Sequence, residues 1–305
     1  MRAARAAAVV ALVASAAVGT AIAIPDAGAR DVDARAYAGL GTWVDVYDYV
    51  PGFPADGGPP PVTVDSVDDM ARLGVSTLYL QAAQDDTRIT GPTVDRKLLG
   101  EFLNRAHDAG MSVVAWYLPK LADLETDLRR IRALERFRSD GEGFDGIALD
   151  LEWTQGVPDA TARNDALVEL SKKARKVVGD TALGAIVLEP LLLEDVNPNY
   201  WPGFPWKRIA HLYDVWLPMS YWTNRNESSG LRDGFVYASK NIKRLRTRIG
   251  DKDAFVHAIG GIADSASTED YVGFVRAVKK RDAIGWSIYD FNTTTSGVWA
   301  RLRDE

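Results

Sequence analysis

The chain has 305 residues, 47% of them hydrophobic, with three histidines and no cysteine, which excludes disulfide stapling, thiolate chemistry and a lipid-modified cysteine anchor. Its formal net charge is −6, with both signs spread along the chain. Phosphate neutralisation needs a clustered basic face, so nucleic acid is not an expected partner.

The first residues, Met1-Arg2-Ala3-Ala4-Arg5, are positively charged and lead into an apolar run from Ala6 to Ile24. Ala27-Gly28-Ala29 follows as an A-x-A cleavage pattern. The segment 1–29 is therefore expected to be a signal peptide and 30–305 a secreted, extracellular domain with no stable membrane insertion once cleaved. The run is long enough to serve as an uncleaved anchor, but its Ala-rich, Leu-poor composition favours cleavage.

Beyond Arg30 no linker or composition break divides the chain. β-rich runs at 42–49, 76–81, 112–118, 146–151, 183–188, 215–219, 254–259 and 284–289 alternate with amphipathic helical patterns. The helices are expected at 67–73, 97–109, 124–137, 160–178, 232–248, 269–280 and 298–302. The fifth connection, 197–211, is Pro- and Trp-rich and has room for only a short helix at 207–210. The basic cluster at 240–248 keeps Ile242, Leu245 and Ile249 at helical spacing, so its charges read as the wet side of a helix. Eight β/α units in strict alternation predict an α/β fold of the (β/α)8 TIM-barrel type, as a single domain. No dinucleotide fingerprint follows the first strand, which disfavours a doubly wound sheet.

Reactive groups of such barrels sit at the carboxyl ends of the strands. Those ends offer Asp45, Tyr47 and Asp48; Gln81; Trp116 and Tyr117; Asp150, Glu152 and Trp153; Glu189; Tyr221 and Trp222; and Trp286, Tyr289 and Asp290. The seventh strand ends in Ile259-Gly260-Gly261 and carries no acid. On the fourth strand, side-chain alternation puts Ala148, Asp150 and Glu152 on one face and Ile147, Leu149 and Leu151 on the other. The branched apolar face suits the surrounding helices, so the two acids are expected to point into the barrel. Like charges in a partly buried site repel, so one of the pair, the outer Glu152, is expected to hold a proton near neutral pH. A general acid for glycosidic oxygen needs that property. Trp116, Trp153, Trp222 and Trp286 are expected near a sugar platform, and Trp43, Trp216 and Trp299 in the core. No metal or other cofactor is expected, because His107, His211 and His257 do not pair at ligand spacing.

The segment Asp145-Gly146-Ile147-Ala148-Leu149-Asp150-Leu151-Glu152 resembles the D-G-x-D-x-D-x-E signature of family-18 glycoside hydrolases, the chitinase-like barrels. Asp214-Val215-Trp216-Leu217-Pro218-Met219-Ser220-Tyr221 resembles that family's M-x-Y segment, and Trp286 is similar in position to the Trp flooring its sugar subsite. The resemblance implies Glu152 as proton donor, Asp150 as the partner that orients the substrate's N-acetyl group, and Tyr221 as a hydrogen-bond donor to it. Position at a strand end makes Asp45, Tyr47, Gln81, Trp116, Trp153, Glu189, Trp222, Trp286 and Asp290 candidates for substrate contact, and the resemblance implies a β-linked, N-acetylated polysaccharide such as chitin or peptidoglycan glycan as partner. Ala148 departs from the signature's middle Asp, and the third strand lacks the family's S-x-G-G segment. Without an acetamido group a retaining enzyme needs its own nucleophile, for which Glu189 leads, then Asp290 and Asp45. Asp150-x-Glu152 alone also resembles the D-x-E of family-25 lysozymes. A lectin-type barrel that binds glycan without turnover is the alternative that Ala148 raises.

Overall fold

Eight parallel strands close on one another in chain order, each followed by helical structure. They are β1 (Gly39–Val44), β2 (Thr77–Ala83), β3 (Ser112–Tyr117), β4 (Gly146–Leu151), β5 (Ala182–Leu188), β6 (Val215–Met219), β7 (Phe255–Ile262) and β8 (Gly285–Tyr289). The ring closes through β1 and β8, with Gly39 opposite Gly285 and Thr42 opposite Ile288. The structure is a computed structural model and describes residues 33–262 and 266–304. The expected leader, 1–29, lies outside the described residues.

The helices are α1 (Val46–Tyr49), α2 (Ser66–Arg72), α3 (Arg96–Asp108), α4 (Leu124–Glu135), α5 (Ala160–Val178), α6 (Trp206–Ile209), α7 (Gly234–Ile249), α8 (Thr268–Lys280) and α9 (Ser296–Asp304). Aspartates start four of the long ones: Asp95, Asp123, Asp159 and Asp233 each accept backbone N–H groups of the first turn. Ser267 and Asp270 form a reciprocal capping box at α8. Each cap fixes where a loop ends and so sets the rim of the barrel.

Inside the barrel, glycines on the strands make room for aromatic side chains. Tyr37, from a 3-10 turn before β1 (Ala34–Tyr37), plugs the floor and donates its hydroxyl to the Ile147 carbonyl at 2.8 Å. A Cβ at Gly146 or Gly184 would stand 2.8 or 2.9 Å from the Tyr37 ring. One layer higher sits His257, fully buried. Its Nδ1–H donates to the Tyr37 carbonyl at 2.8 Å, which leaves Nε2 to accept from the Ser287 hydroxyl at 2.9 Å. Ser287 in turn accepts the Trp43 indole N–H at 2.8 Å. This chain fixes one neutral tautomer of His257, and burial pushes its pKa down to about 4. It also ties the barrel floor to Trp43, whose ring stacks on Tyr79 with centroids 4.2 Å apart.

Two elements differ from expectation. The first strand stops at Val44 rather than running to 49, because Asp45 turns into an N-cap whose carboxylate takes the Tyr47 N–H at 2.8 Å. A side chain that satisfies orphan amides competes with the ladder, and here it starts α1. Between β5 and the expected connection at 197–211 the chain forms a π-helical turn, Leu192–Val196, ahead of α6. The Glu189 carbonyl anchors its start by accepting from Leu192 at 3.0 Å.

Candidate active site

The strand alternation that forms the core continues to the barrel mouth, where it turns polar. β4 sends Ala148 into the packed interior and Asp150 and Glu152 into a cleft of about 520 Å³ above it. From the other strands the cleft wall receives Trp43, Asp45, Gln81, Trp116, Leu118, Ile186, Met219, Tyr221, Ile259 and Tyr289. Tyr47 of α1 and Trp153 stand at the rim, with Lys120 5.5 Å from the Trp153 ring centre. Of the residues expected at the site, Asp45, Tyr47, Gln81, Trp116, Asp150, Glu152, Trp153 and Tyr221 therefore line one cavity.

Four expected residues do not line it. Trp286 points away from the barrel interior and donates its indole N–H to the Leu302 carbonyl of α9 at 3.0 Å. Trp222 is fully buried against Tyr271 and Phe274 of α8, with ring centres 5.8 and 5.3 Å away. Glu189, 1% exposed, accepts the Tyr237 hydroxyl of α7 at 2.8 Å and faces Arg225 at 3.9 Å. Asp290 accepts the Thr293 N–H and hydroxyl at 2.9 and 3.0 Å. Trp286 stands on β8 three residues from the cleft-facing Tyr289, so side-chain alternation turns it to the other face. Glu189, Trp222 and Asp290 lie past the ends of their strands, where alternation no longer sets direction.

Two further strand residues reach the cleft. Trp43 is in the core as expected, only 2% exposed, and also contributes a cleft wall. Tyr289 lines the cleft in place of Trp286, and its hydroxyl donates to the Asp45 carboxylate. Lys120 and Asp85 come from the loops after β3 and β2 and pair at 3.2 Å, with Arg130 2.9 Å from Asp85. Nothing in the strand pattern pointed to those two loop residues.

The electrostatics of the cleft favour bound protons. Asp150 is 8% exposed, and its Oδ1 has no hydrogen-bond partner. Burial first, and then the Glu152 charge, push its carboxyl well above the usual range. Burial also raises Glu152, but the stronger upward push falls on the inner Asp150 and not on the outer acid expected to hold the proton. Glu189, behind the cleft wall, is pushed up to about 7 by burial, which its Tyr237 hydrogen bond and Arg225 only partly oppose. Asp48 in α1 is pushed up to about 7 by burial and by the nearby Asp45 and Asp290. The Tyr221 hydroxyl is raised well above its usual value by burial and the surrounding acids, so it remains a donor. The Trp116 indole N–H is buried and has no protein acceptor. Asp145, by contrast, is structural: its carboxylate takes the Val113 N–H at 2.7 Å and meets His107 at 2.9 Å.

No protein-family model matches the chain, and no curated protein matches it in sequence. Solved structures do match in fold. The family-18 chitinase of Cycas revoluta, in complex with allosamidin, is 12% identical with a TM-score of 0.60, over 87% of this chain and 98% of its own. The spore cortex-lytic enzyme SleL of Bacillus cereus is 8% identical, TM-score 0.61, over 87% of this chain and 73% of its own. The chitinase-like agglutinin of Robinia pseudoacacia is 11% identical, TM-score 0.57, over 86% and 98%. The chain thus carries the single-domain (β/α)8 barrel found in family-18 chitinases and chitinase-like proteins. At such identities the likeness is one of fold.

Proposed function

We propose that this protein is a secreted glycoside hydrolase acting on β-linked, N-acetylated polysaccharide of the chitin or peptidoglycan-glycan type. The observation that carries the reading is the pair Asp150 and Glu152, projecting from one strand into one cleft with raised proton affinity. Glu152 is the more exposed of the two and acts as general acid. It protonates the glycosidic oxygen as the bond to the anomeric carbon breaks, and its carboxylate then takes a proton from the incoming water. With the proton of the pair on Glu152, the Asp150 carboxylate accepts from the substrate's acetamido N–H and so aims the acetamido oxygen at the anomeric carbon. Tyr221 donates its hydroxyl to that oxygen. The attack is assigned to the substrate because Glu189 and Asp290, two candidate nucleophiles, do not line the cleft, and Asp45 is already engaged by Tyr289 and Tyr47. Trp43 and Trp116 offer apolar walls for a sugar ring, and the unpartnered Trp116 N–H has a sugar hydroxyl to meet.

The alternative, a glycan-binding barrel without turnover, is favoured by one observation. Ala148 leaves Asp150 Oδ1 with no partner beneath it. The test is hydrolysis of labelled chitooligosaccharides and peptidoglycan by the wild type and Glu152→Gln. Turnover lost on substitution with binding retained supports the hydrolase, whereas binding without turnover in both proteins overturns it.

A further inference from the structure

Beside the cleft, at the seam where β8 meets β1, three carboxylates converge from distant parts of the chain. Asp45 follows β1 as the N-cap of α1, Asp48 lies in α1, and Asp290 follows β8. One carboxylate oxygen from each lies within 4.8 Å of the others. Among the described residues no Lys or Arg pairs with any of the three. Asp48 is nine-tenths buried, at 9% exposed, and its Oδ2 has no hydrogen-bond partner at all. A buried carboxylate oxygen beside two further acids, with neither donor nor counter-charge, is costly unless something positive sits among them.

We propose that Asp45, Asp48 and Asp290 bind a divalent cation of the oxygen-seeking class, with Ca²⁺ as the best fit. The donor set is all carboxylate, with no His or Cys, which selects against softer metals. Ca²⁺–oxygen distances are about 2.3–2.6 Å, so two oxygens on one ion stand at most roughly 4.6–5.2 Å apart, and three oxygens all within 4.8 Å of one another are close enough to share an ion. Mg²⁺ is usually held by one or two carboxylates and keeps several waters, so a set of three carboxylates suits Ca²⁺ better. The three carboxylates are already oriented by hydrogen bonds. Asn292 donates to Asp48 Oδ1 at 3.0 Å, Thr293 to Asp290 Oδ1, and the Tyr47 N–H and Tyr289 hydroxyl to Asp45. Such outer hydrogen bonds fix ligand direction. The ion pins α1 and the end of β1 to the loop after β8, closing the barrel seam next to a cleft residue, Asp45.

The purified full chain, stripped with EDTA, is titrated calorimetrically with CaCl₂ and separately with MgCl₂, and its melting is followed with each. One Ca²⁺ per chain is expected, with weaker Mg²⁺ binding. At a hundredfold excess over Kd the melting temperature should rise by about 5 °C or more. Asp48→Asn should abolish binding and that rise, yet melt no lower than the metal-free wild type, because it removes a buried like charge. Tb³⁺ luminescence sensitised by neighbouring aromatic rings provides a second readout on Asp290→Asn, where the signal displaced by Ca²⁺ should vanish. Absence of Ca²⁺-dependent heat and melting shift in the wild type overturns the proposal. So does Tb³⁺ emission that survives both substitutions, or an Asp48→Asn destabilisation that is equal with and without Ca²⁺.

Discussion

Glu189→Gln separates a structural acid from a catalytic one. Glu189 is fully enclosed, and its carboxyl is raised from 4.5 to about 7. Because the folded value lies above the unfolded one, the proton-linked stability is complete below pH 4.5 and is lost as the pH rises through about 7. The displacement corresponds to about 3 kcal/mol between these limits. Glutamine has the same shape, can accept the Tyr237 hydroxyl and cannot ionise. The stability difference between variant and wild type should therefore move in the variant's favour by about 3 kcal/mol from pH 4.5 to 8.5, or roughly 6–12 °C in Tm. The loss of a partner for Arg225, at 3.9 Å, offsets part of the gain equally at high pH and is read in the same curves. Melting both proteins across that range checks the sign, and parallel pH curves would refute the assignment. In the same samples, turnover of chitooligosaccharide should fall by less than about tenfold, since loss of a true nucleophile costs several orders of magnitude.

Other outcomes follow from the same geometry. Glu152→Gln should lower turnover by about 10²–10⁴-fold, the usual worth of a positioned general acid, while oligosaccharide affinity by calorimetry stays within a few-fold. Gly184→Ala puts a Cβ 2.9 Å from both Leu217 and the Tyr37 ring, so overpacking should destabilise by about 1–3 kcal/mol in urea unfolding, with no change in the slope. His257, held at about 4, should show its imidazole resonances titrating near that pH by NMR. For a base lowered on folding, its contribution to stability is complete above 6.5 and is lost as the pH falls through about 4.

The barrel was legible because its cause is local. Eight apolar runs alternate with eight connections, and a chain of this pattern has few ways to cover both faces of every strand. The central pair was legible for the same reason, since the two-residue period of β4 sorts Asp150 and Glu152 from Leu149 and Leu151 without reference to the rest of the chain. Glu189, Trp222 and Asp290 lie past the ends of β5, β6 and β8, where the period no longer sets side-chain direction, and Trp286 stands on the face of β8 opposite to Tyr289. Residue type at a strand end does not distinguish these four from the residues that enter the cleft. Lys120 and Asp85 had no such signal, because loop residues meet only when two strands lie side by side in space. The seam carboxylates escaped for a related reason: Asp45 and Asp290 are neighbours only through closure of the ring.

Ala148 bears on both functional readings, and the structure narrows what its small side chain does. The position is fully buried, below the cleft rather than in it. A carboxylate there would be a third acid in the same dry column. With alanine the column holds two acids and no donor for Asp150 Oδ1, so the pair must itself carry the charge balance. Two carboxyls that disfavour each other's ionisation lose their first proton far more readily than their second. One proton then remains on the pair over an interval of pH, and under the proposed mechanism one negative charge lies beside the anomeric carbon as positive charge develops there. Under the proposed mechanism that single charge is sufficient for both tasks, the donor role falling to the acid with access to the cleft. The missing residue thus bears on how the proton is passed between Asp150 and Glu152 rather than on whether an acid and a base are present, and a pH–rate profile governed by two coupled steps is the expected signature.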